Sequence, residues 1–388
     1  MKTIEGLLDN TPVSKRLNYL NAHRIAEHFY RQVLNAHKAS GNDSLGNCLI
    51  FCFSHLSTTV NLSICNNWLG MFDKIYLIPK KGSLNANLLM HISDPTRVMK
   101  ARDRKAFSKT VNEIGSLTRN SDLPVIIFDI GGYFAPYIDE ISASLGERLL
   151  LVLEDTANGH KKYQDTQYFA NRRRFKSVAY DAYKMAENVM VATIMLAHLP
   201  SFITEWSKYK PALVVGYGRI GRSLCFGLRE RGVTDIVVVD SDKARLFMAA
   251  TEGFEALTHA ELGLYACYFE YCFSMSGQHG VTKKVVSAIN DNGYISVVTS
   301  YDDEFDQELM ECFESGDGSS IVLDGKKINI VNKGRPINLS SHAAFDARNL
   351  SLHFIFGKIL SSFLISLGMD LSADWEGEVY SDIFGEIR

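Results

Sequence analysis

The chain has little proline, eight residues in 388, and no stretch rich in proline and serine that would mark a flexible linker. Any boundary between domains must therefore fall inside patterned segments. Its seven cysteines, Cys48, Cys52, Cys65, Cys225, Cys267, Cys272 and Cys312, are odd in number and include no C-x-x-C pair. That pattern argues against a disulfide framework or a zinc site and suits a reducing, cytoplasmic setting, where a buried thiol behaves as a small hydrophobe. Charge of one sign is also missing: the net of -3 gives no reason to expect nucleic acid. The run Arg172-Arg173-Arg174 with Lys176 is the only basic cluster and reads as a solvated helix end or loop. The first ten residues, MKTIEGLLDN, lack the apolar core of a secretory signal. No apolar run is long and clean enough to span a membrane. The best, Leu350 to Leu371, is broken by His353 and Lys358 and reads as a buried helix. His23, His28 and His37 miss the i, i+4 spacing that places two imidazoles on one metal, so no metal is expected.

What the chain does have is the stretch from Pro211 to Asp240. Ala212 to Val215 reads as a buried strand, and Gly216, Gly218 and Gly221 follow at G-x-G-x-x-G spacing. Arg222 to Arg231 continues at helical spacing, Ile236 to Val239 forms a second strand, and Asp240 closes it nineteen residues beyond Gly221. The three glycines serve, in order, a tight turn, close approach of backbone to a pyrophosphate, and close packing of helix on strand. The helix N-terminus meets phosphate charge, and the carboxylate can hold a ribose 2'-hydroxyl. The turn therefore places NAD against Gly216, Gly218, Arg219, Ile220 and Gly221, with Asp240 disfavouring a 2'-phosphate.

The remainder alternates strand and helix patterns, the mark of parallel α/β layers. Strands are expected at Leu49 to Phe53, Lys74 to Ile78, Val125 to Asp129, Leu149 to Leu153, Cys267 to Met275, Tyr294 to Thr299 and Ile328 to Val331. Helices are expected over residues 15–38, from Ser177 to Trp206 and over Lys283 to Ile289. His55, Asp129 and Asp155 fall at strand C-termini, where such sheets bind ligands.

Several short stretches, taken with the glycine turn, resemble the S-adenosyl-L-homocysteine hydrolase family between about residue 47 and residue 365. They are His55-Leu56-Ser57, Asp129-Ile130-Gly131-Gly132, Glu154-Asp155-Thr156-Ala157-Asn158-Gly159, Gly334-Arg335-Pro336-Ile337-Asn338-Leu339 and Ser341-His342-Ala343-Ala344-Phe345. The resemblance implies an α/β fold of two domains, a Rossmann NAD-binding domain inserted in a discontinuous α/β substrate domain. On this chain the expected bounds are 1–188, 189–341 and a return over 342–388. It implies NAD as cofactor, His55, Asp129, Asp155, Lys184 and His342 as catalytic residues, and Thr156, Asn158, Asn188, Gly277 and Asn338 as further cofactor contacts. It also implies a nucleoside- or sugar-like small-molecule substrate and a homodimer or homotetramer.

The chain departs from that family's pattern at Ile130, Ser300 and Thr59, each in place of a polar or ionisable group, and its tail is short. Recognition of S-adenosylhomocysteine itself is thus not expected. Three functions stay open: transient oxidation of a sugar-like hydroxyl driving elimination or hydrolysis on another substrate, plain NAD-dependent dehydrogenation, and an NAD-binding regulatory protein without activity.

Overall fold

The structure, a computed structural model, describes residues 27–35, 47–171, 174–339, 350–369, 376–377 and 379. The chain divides into two compact units, Met1–Lys184 with Ala344–Arg388, and Met185–Ala343. The architecture is α/β: a Rossmann-type sheet occupies the contiguous segment that interrupts a larger, discontinuous α/β domain.

The first unit carries β1 (Leu49–Leu56), β2 (Ile75–Leu84), β3 (Val125–Asp129), β4 (Leu149–Glu154) and β5 (Phe175–Ser177). They pair in the order β2-β1-β3-β4-β5, all parallel. The order reverses between β1 and β3, so the crevice beyond their C-terminal ends is the expected ligand position. Strands β1 and β3 are apolar over Leu49 to Phe53 and Val125 to Phe128, up to their C-terminal ends, because a parallel sheet is covered on both faces. Helix Leu350–Ser366 supplies part of that cover, burying Phe354, Ile355, Ile359, Leu360, Phe363 and Leu364 in one core with the strands. Trp68 centres an aromatic cluster there, 5.5 Å from Phe363 and 5.9 Å from Phe128, ring to ring. Burying each such side chain stabilises the unit by roughly 1.5–3 kcal/mol.

Strand β2 runs past the expected end at Ile78. Pro79 is tolerated because β2 lies at the sheet edge, where a missing N–H costs no ladder bond. Pairing resumes at Leu84 opposite Leu56 after an irregularity. Lys80 and Ser83 are thereby held in a strand and buried.

The second unit contains β6 (Ala212–Val215), β7 (Ile236–Val239), β8 (Glu255–Leu257), β9 (Phe269–Ser274), β10 (Ile289–Val297), β11 (Ser320–Leu323) and β12 (Lys326–Ile330). The order β11-β12-β10-β9-β6-β7-β8 contains β8-β7-β6-β9-β10, the parallel dinucleotide-binding arrangement. Alternate residues of its strands enter two separate cores. Ala212, Val214, Ile236 and Val238 join Leu224, Cys225 and Leu228 of helix Arg219–Glu230. Leu213, Val215, Val237 and Val239 join Val285, Leu309 and Phe313.

Strands β5, β8 and β11 are too short to have been legible from apolar runs. Strand β11 does carry a signal, since it pairs antiparallel with β12 across Asp324-Gly325, both at positive φ. An Asp-Gly pair between alternating apolar residues marks such a tight hairpin. The expected helix over residues 15–38 is described only at 27–35, which is helical, and the one from Ser177 to Trp206 is realised as Ala182–His198 followed by a short 3-10 turn. Among the described residues, no helix is long and apolar enough to cross a membrane.

The hairpin offers a local test. Gly325 sits at φ +79° with nothing near the position of a Cβ. Gly325→Ala is therefore expected to cost about 1 kcal/mol through backbone strain alone, leaving NAD affinity unchanged. Urea denaturation of the two proteins measures it, and equal stability would contradict the turn geometry.

Candidate functional site

In the second unit, β6 ends at Gly216, whose φ of +99° turns the chain under the loop that follows β9. A Cβ at Gly216 would come 3.0 Å from Ser276 N, and one at Gly221 would lie 1.9 Å from Gly216 O. These two glycines let the turn close on itself. Gly218 is different: it has φ -71°, and its nearest neighbour to a Cβ is Arg245 at 3.8 Å. A side chain there would meet open space, the space a pyrophosphate would fill. Gly218 also caps helix Arg219–Glu230 without any side-chain hydrogen bond, so the first-turn amides keep their capacity for an anion. Ile220 packs partly into the core below.

Asp240 closes β7 and is buried. Its Oδ2 accepts the Tyr217 N–H at 2.6 Å and its Oδ1 the Asp242 N–H at 2.8 Å, with Arg245 Nη1 3.6 Å away. The carboxylate thus braces the glycine turn. Gly277, at φ +62°, lies in the loop after β9 and donates its N–H to Glu304 at 2.9 Å. Asn338 is half-buried in the turn Ile337–Leu339, and its Oδ1 is buried without a hydrogen bond. Asn188 is half-buried on helix Ala182–His198.

In the first unit, His55, Asp155 and Lys184 come together at the C-terminal edge of the sheet. Lys184 donates to Asp155 Oδ2 at 2.7 Å, an ion pair with side chains only 10% and 8% exposed. Asp155 Oδ1 is buried and makes no hydrogen bond. His55 bonds through Nδ1 to Ser83 Oγ at 2.6 Å. Burial, with Lys80 and Lys184 close by, pulls its imidazole from 6.5 to about 3. The ring is therefore neutral at neutral pH. His342 lies outside the described residues.

Asp129 is placed differently from these three. It is fully buried, with Oδ2 accepting from Phe134 N and from Tyr163 Oη, each at 2.8 Å. Beside it, Glu154 accepts from Gly131 N, Gly132 N, Thr156 N and Thr156 Oγ at 2.6–3.0 Å. Burial raises both carboxyls, and for Glu154 the neighbouring Asp129 adds to the rise. Thr156 is occupied in this network and also accepts the Gly159 N–H as a helix cap. Asn158, one turn on, leaves its Oδ1 buried and unbonded.

Three neighbours of this cluster were not legible in the sequence. Lys80 is 6% exposed, and its Nζ lies 5.1 Å from the centre of the Tyr133 ring. The Arg104 guanidinium covers the same ring at 4.0 Å and donates to Gly131 O and Gly132 O. Lys80 falls beyond the strand expected to end at Ile78, and only the length of β2 brings it to the sheet. Among the described residues no group of His, Cys, Asp and Glu could hold a metal ion. All seven cysteines are free, and burial raises Cys48, Cys52, Cys65, Cys225 and Cys272.

Residues 212–260 match the TrkA-N domain, an NAD-binding module, so the segment from β6 through β8 is an NAD-binding Rossmann domain. No curated protein matches the chain. Among solved structures the chain is similar to a dipicolinate synthase from Bacillus subtilis, at 12% identity and a TM-score of 0.43, over 82% of this chain and 97% of that one. A dipicolinate synthase from Bacillus halodurans gives 14% and 0.42, over 82% and 98%. The 2R,3R-butanediol dehydrogenase from Bacillus subtilis gives 21% and 0.25, over 28% and 33%.

The family match overturns the resemblance to S-adenosyl-L-homocysteine hydrolase, since the matching family model is the TrkA-N domain. The physical reason is that the motifs are short solutions to a common constraint. Asp129-x-Gly131-Gly132 and Glu154-x-Thr156 are two halves of one buried hydrogen-bond network. Doubly wound sheets place acids and glycines at strand ends generally, so their recurrence does not single out one family.

Two outcomes follow from this geometry. Gly218→Val should leave the melting temperature near that of the unmodified protein and abolish NAD binding, whereas Gly221→Ala should destabilise the fold itself. Calorimetric titration with NAD beside thermal melting separates the two, and a folded Gly218→Val that binds NAD normally would refute the pyrophosphate position. The second concerns His55. Its folded pKa lies below the unfolded value, so the unfolded state binds the extra proton and stability falls as pH drops from about 6.5 towards about 3. His55→Gln should remove that part of the slope, as judged by denaturation free energies of both proteins across the same pH range.

Proposed function

We propose that the chain is an NAD-dependent dehydrogenase acting on a hydroxyl-bearing small molecule, with Lys184, Asp155 and His55 as its acid–base groups. The observation that carries this reading is the buried Lys184–Asp155 pair beside a neutral imidazole, in a chain with an NAD-binding domain. Bound NAD supplies the hydride acceptor. Gly216, Gly218 and Gly221, with Arg219 and Ile220, hold its pyrophosphate, and Asp240 holds the adenosine ribose. Gly277 closes the opposite side of that turn, and the unpartnered Asn338 Oδ1 takes the carboxamide.

Lys184 remains an ammonium because Asp155 stands against it, and it donates a hydrogen bond to the substrate oxygen in both the alcohol and the carbonyl. His55 takes the hydroxyl proton at Nε2, since Nδ1 is committed to Ser83. The hydroxyl loses one proton to His55 and its carbon loses one hydride, which balances the oxidation to a carbonyl.

The test incubates the NAD-loaded protein with hydroxy acids, polyols and nucleosides and follows NADH absorbance. At least one class should give NADH. Lys184→Met should then lower kcat by ~10²–10⁴-fold with NAD affinity unchanged. Absence of NADH from every class, with NAD bound, would overturn the reading in favour of a cofactor-sensing role.

A further inference from the structure

We propose that the C-terminal edge of the first sheet holds an oxyanion-binding subsite built on Lys80 and Arg104, taking a carboxylate or phosphate group of a small molecule. The central observation is Lys80. The residue is only 6% exposed, yet among the described residues its Nζ makes no hydrogen bond or ion pair, only a contact with the Tyr133 ring face. The stem is buried while the ammonium keeps an open side, which leaves its charge available to a ligand.

The surroundings are built for an anion. Lys80 Nζ and Arg104 Nη2 reach to 3.7 Å and 3.6 Å of a single point, the position a Gly131 Cβ would occupy. Gly131 has no side chain, so that point is open. Arg104 is held in place by Gly131 O and Gly132 O and by the Tyr133 ring. Lys162 Nζ, 3.3 Å from Gly131 O, adds a third cation at the same loop. Each nearby carboxylate has partners of its own, Asp129 through Oδ2 with Tyr163 and the Phe134 amide, although Oδ1 of Asp129 and of Asp155 is unbonded. Glu154 binds the amides of the loop from its far side, and Asp155 is paired with Lys184. Ser83 links the subsite to the acid–base cluster, since its hydroxyl bonds His55 and donates to the Lys80 carbonyl at 3.4 Å. The subsite therefore lies beside the groups assigned to proton transfer, and it deepens that assignment by naming the substrate class, an alcohol that carries a carboxylate or a phosphate. It rests on the dehydrogenase reading only for calling the ligand a substrate.

The experiment uses the full chain without turnover. Malonate and inorganic phosphate are titrated separately into the unmodified protein, Lys80→Met and Arg104→Gln, by calorimetry and thermal melting. One of the two anions should bind the unmodified protein, which tells a carboxylate from a phosphate ligand. Lys80→Met should weaken that binding by about tenfold or more and Arg104→Gln by a smaller factor. Free of ligand, Lys80→Met should melt at or above the unmodified protein, because the buried stem is kept while one cation is removed from beside Arg104 and Lys162. Failure of both anions to bind, or equal binding by Lys80→Met, would overturn the subsite. A Lys80→Met protein that melts far lower or fails to fold would assign Lys80 to the scaffold and overturn it as well. Anion binding that persists while no alcohol is oxidised would count against the dehydrogenase reading alone. Oxidation confined to neutral alcohols, with no anion bound, would count against the subsite alone.

Discussion

Each of the two sheets depends on one buried glutamate set among the loops at the ends of its strands. Glu154 gathers the amides of Gly131, Gly132 and Thr156 together with the Thr156 hydroxyl, joining the loop after β3 to the loop after β4. Glu304 does the same in the second unit. It takes the hydroxyls of Ser274, Ser276 and Thr299 and the amides of Ser276 and Gly277, joining the loop after β9 to the chain after β10. Removing a carboxylate from water costs several kcal/mol, and a set of four or five donors is what offsets it. Burial raises both groups, and every donor opposes that rise. The arrangement also explains Gly159, where a Cβ would fall 2.1 Å from Glu154 Cδ. A loop held at both ends in this way presents its outer side in a fixed geometry, which is what a strand-end binding site requires.

The two units use that rigidity for different chemistry. In the second, the loops brace a glycine turn whose one unfilled position is at Gly218. In the first, they brace Gly131, around which cations rather than amides are arranged. Neutral His55 and the Lys184–Asp155 pair stand at the same edge, so proton handling and positive charge are concentrated on one side of one sheet.

Much of this was legible in the sequence. The strands β3, β4, β6 and β7 announce themselves as apolar runs because both faces of a parallel sheet are covered. The glycine spacing and Asp240 are readable because a dinucleotide imposes them over a short span. Lys80 was not readable: whether a lysine is solvated or buried depends on how far an edge strand continues past a proline, and pairing across the sheet decides that. Asp129 shows the converse. Its place at a strand end suggests a ligand contact, yet Tyr163 and the Phe134 amide enclose it. The hydrolase resemblance went astray for a related reason, since short acid-and-glycine stretches report a shared strand-end architecture more than a shared ancestry.

The interruption of the first unit has a consequence for biosynthesis. Helix Leu350–Ser366 lays Phe354, Phe356 and Phe363 into the core formed by strands whose last member ends at Ser177. Phe29, on the helical segment 27–35, closes against Gly357 and Phe354 of that same late helix. The segment 185–343, by contrast, draws among the described residues only on itself for its two cores. A ribosome therefore releases a complete nucleotide-binding unit while the part synthesised before it still exposes an uncovered apolar sheet. Residues 27–35 therefore finish packing only after the late helix is made, and during that interval the first sheet is the surface a chaperone would have to shield.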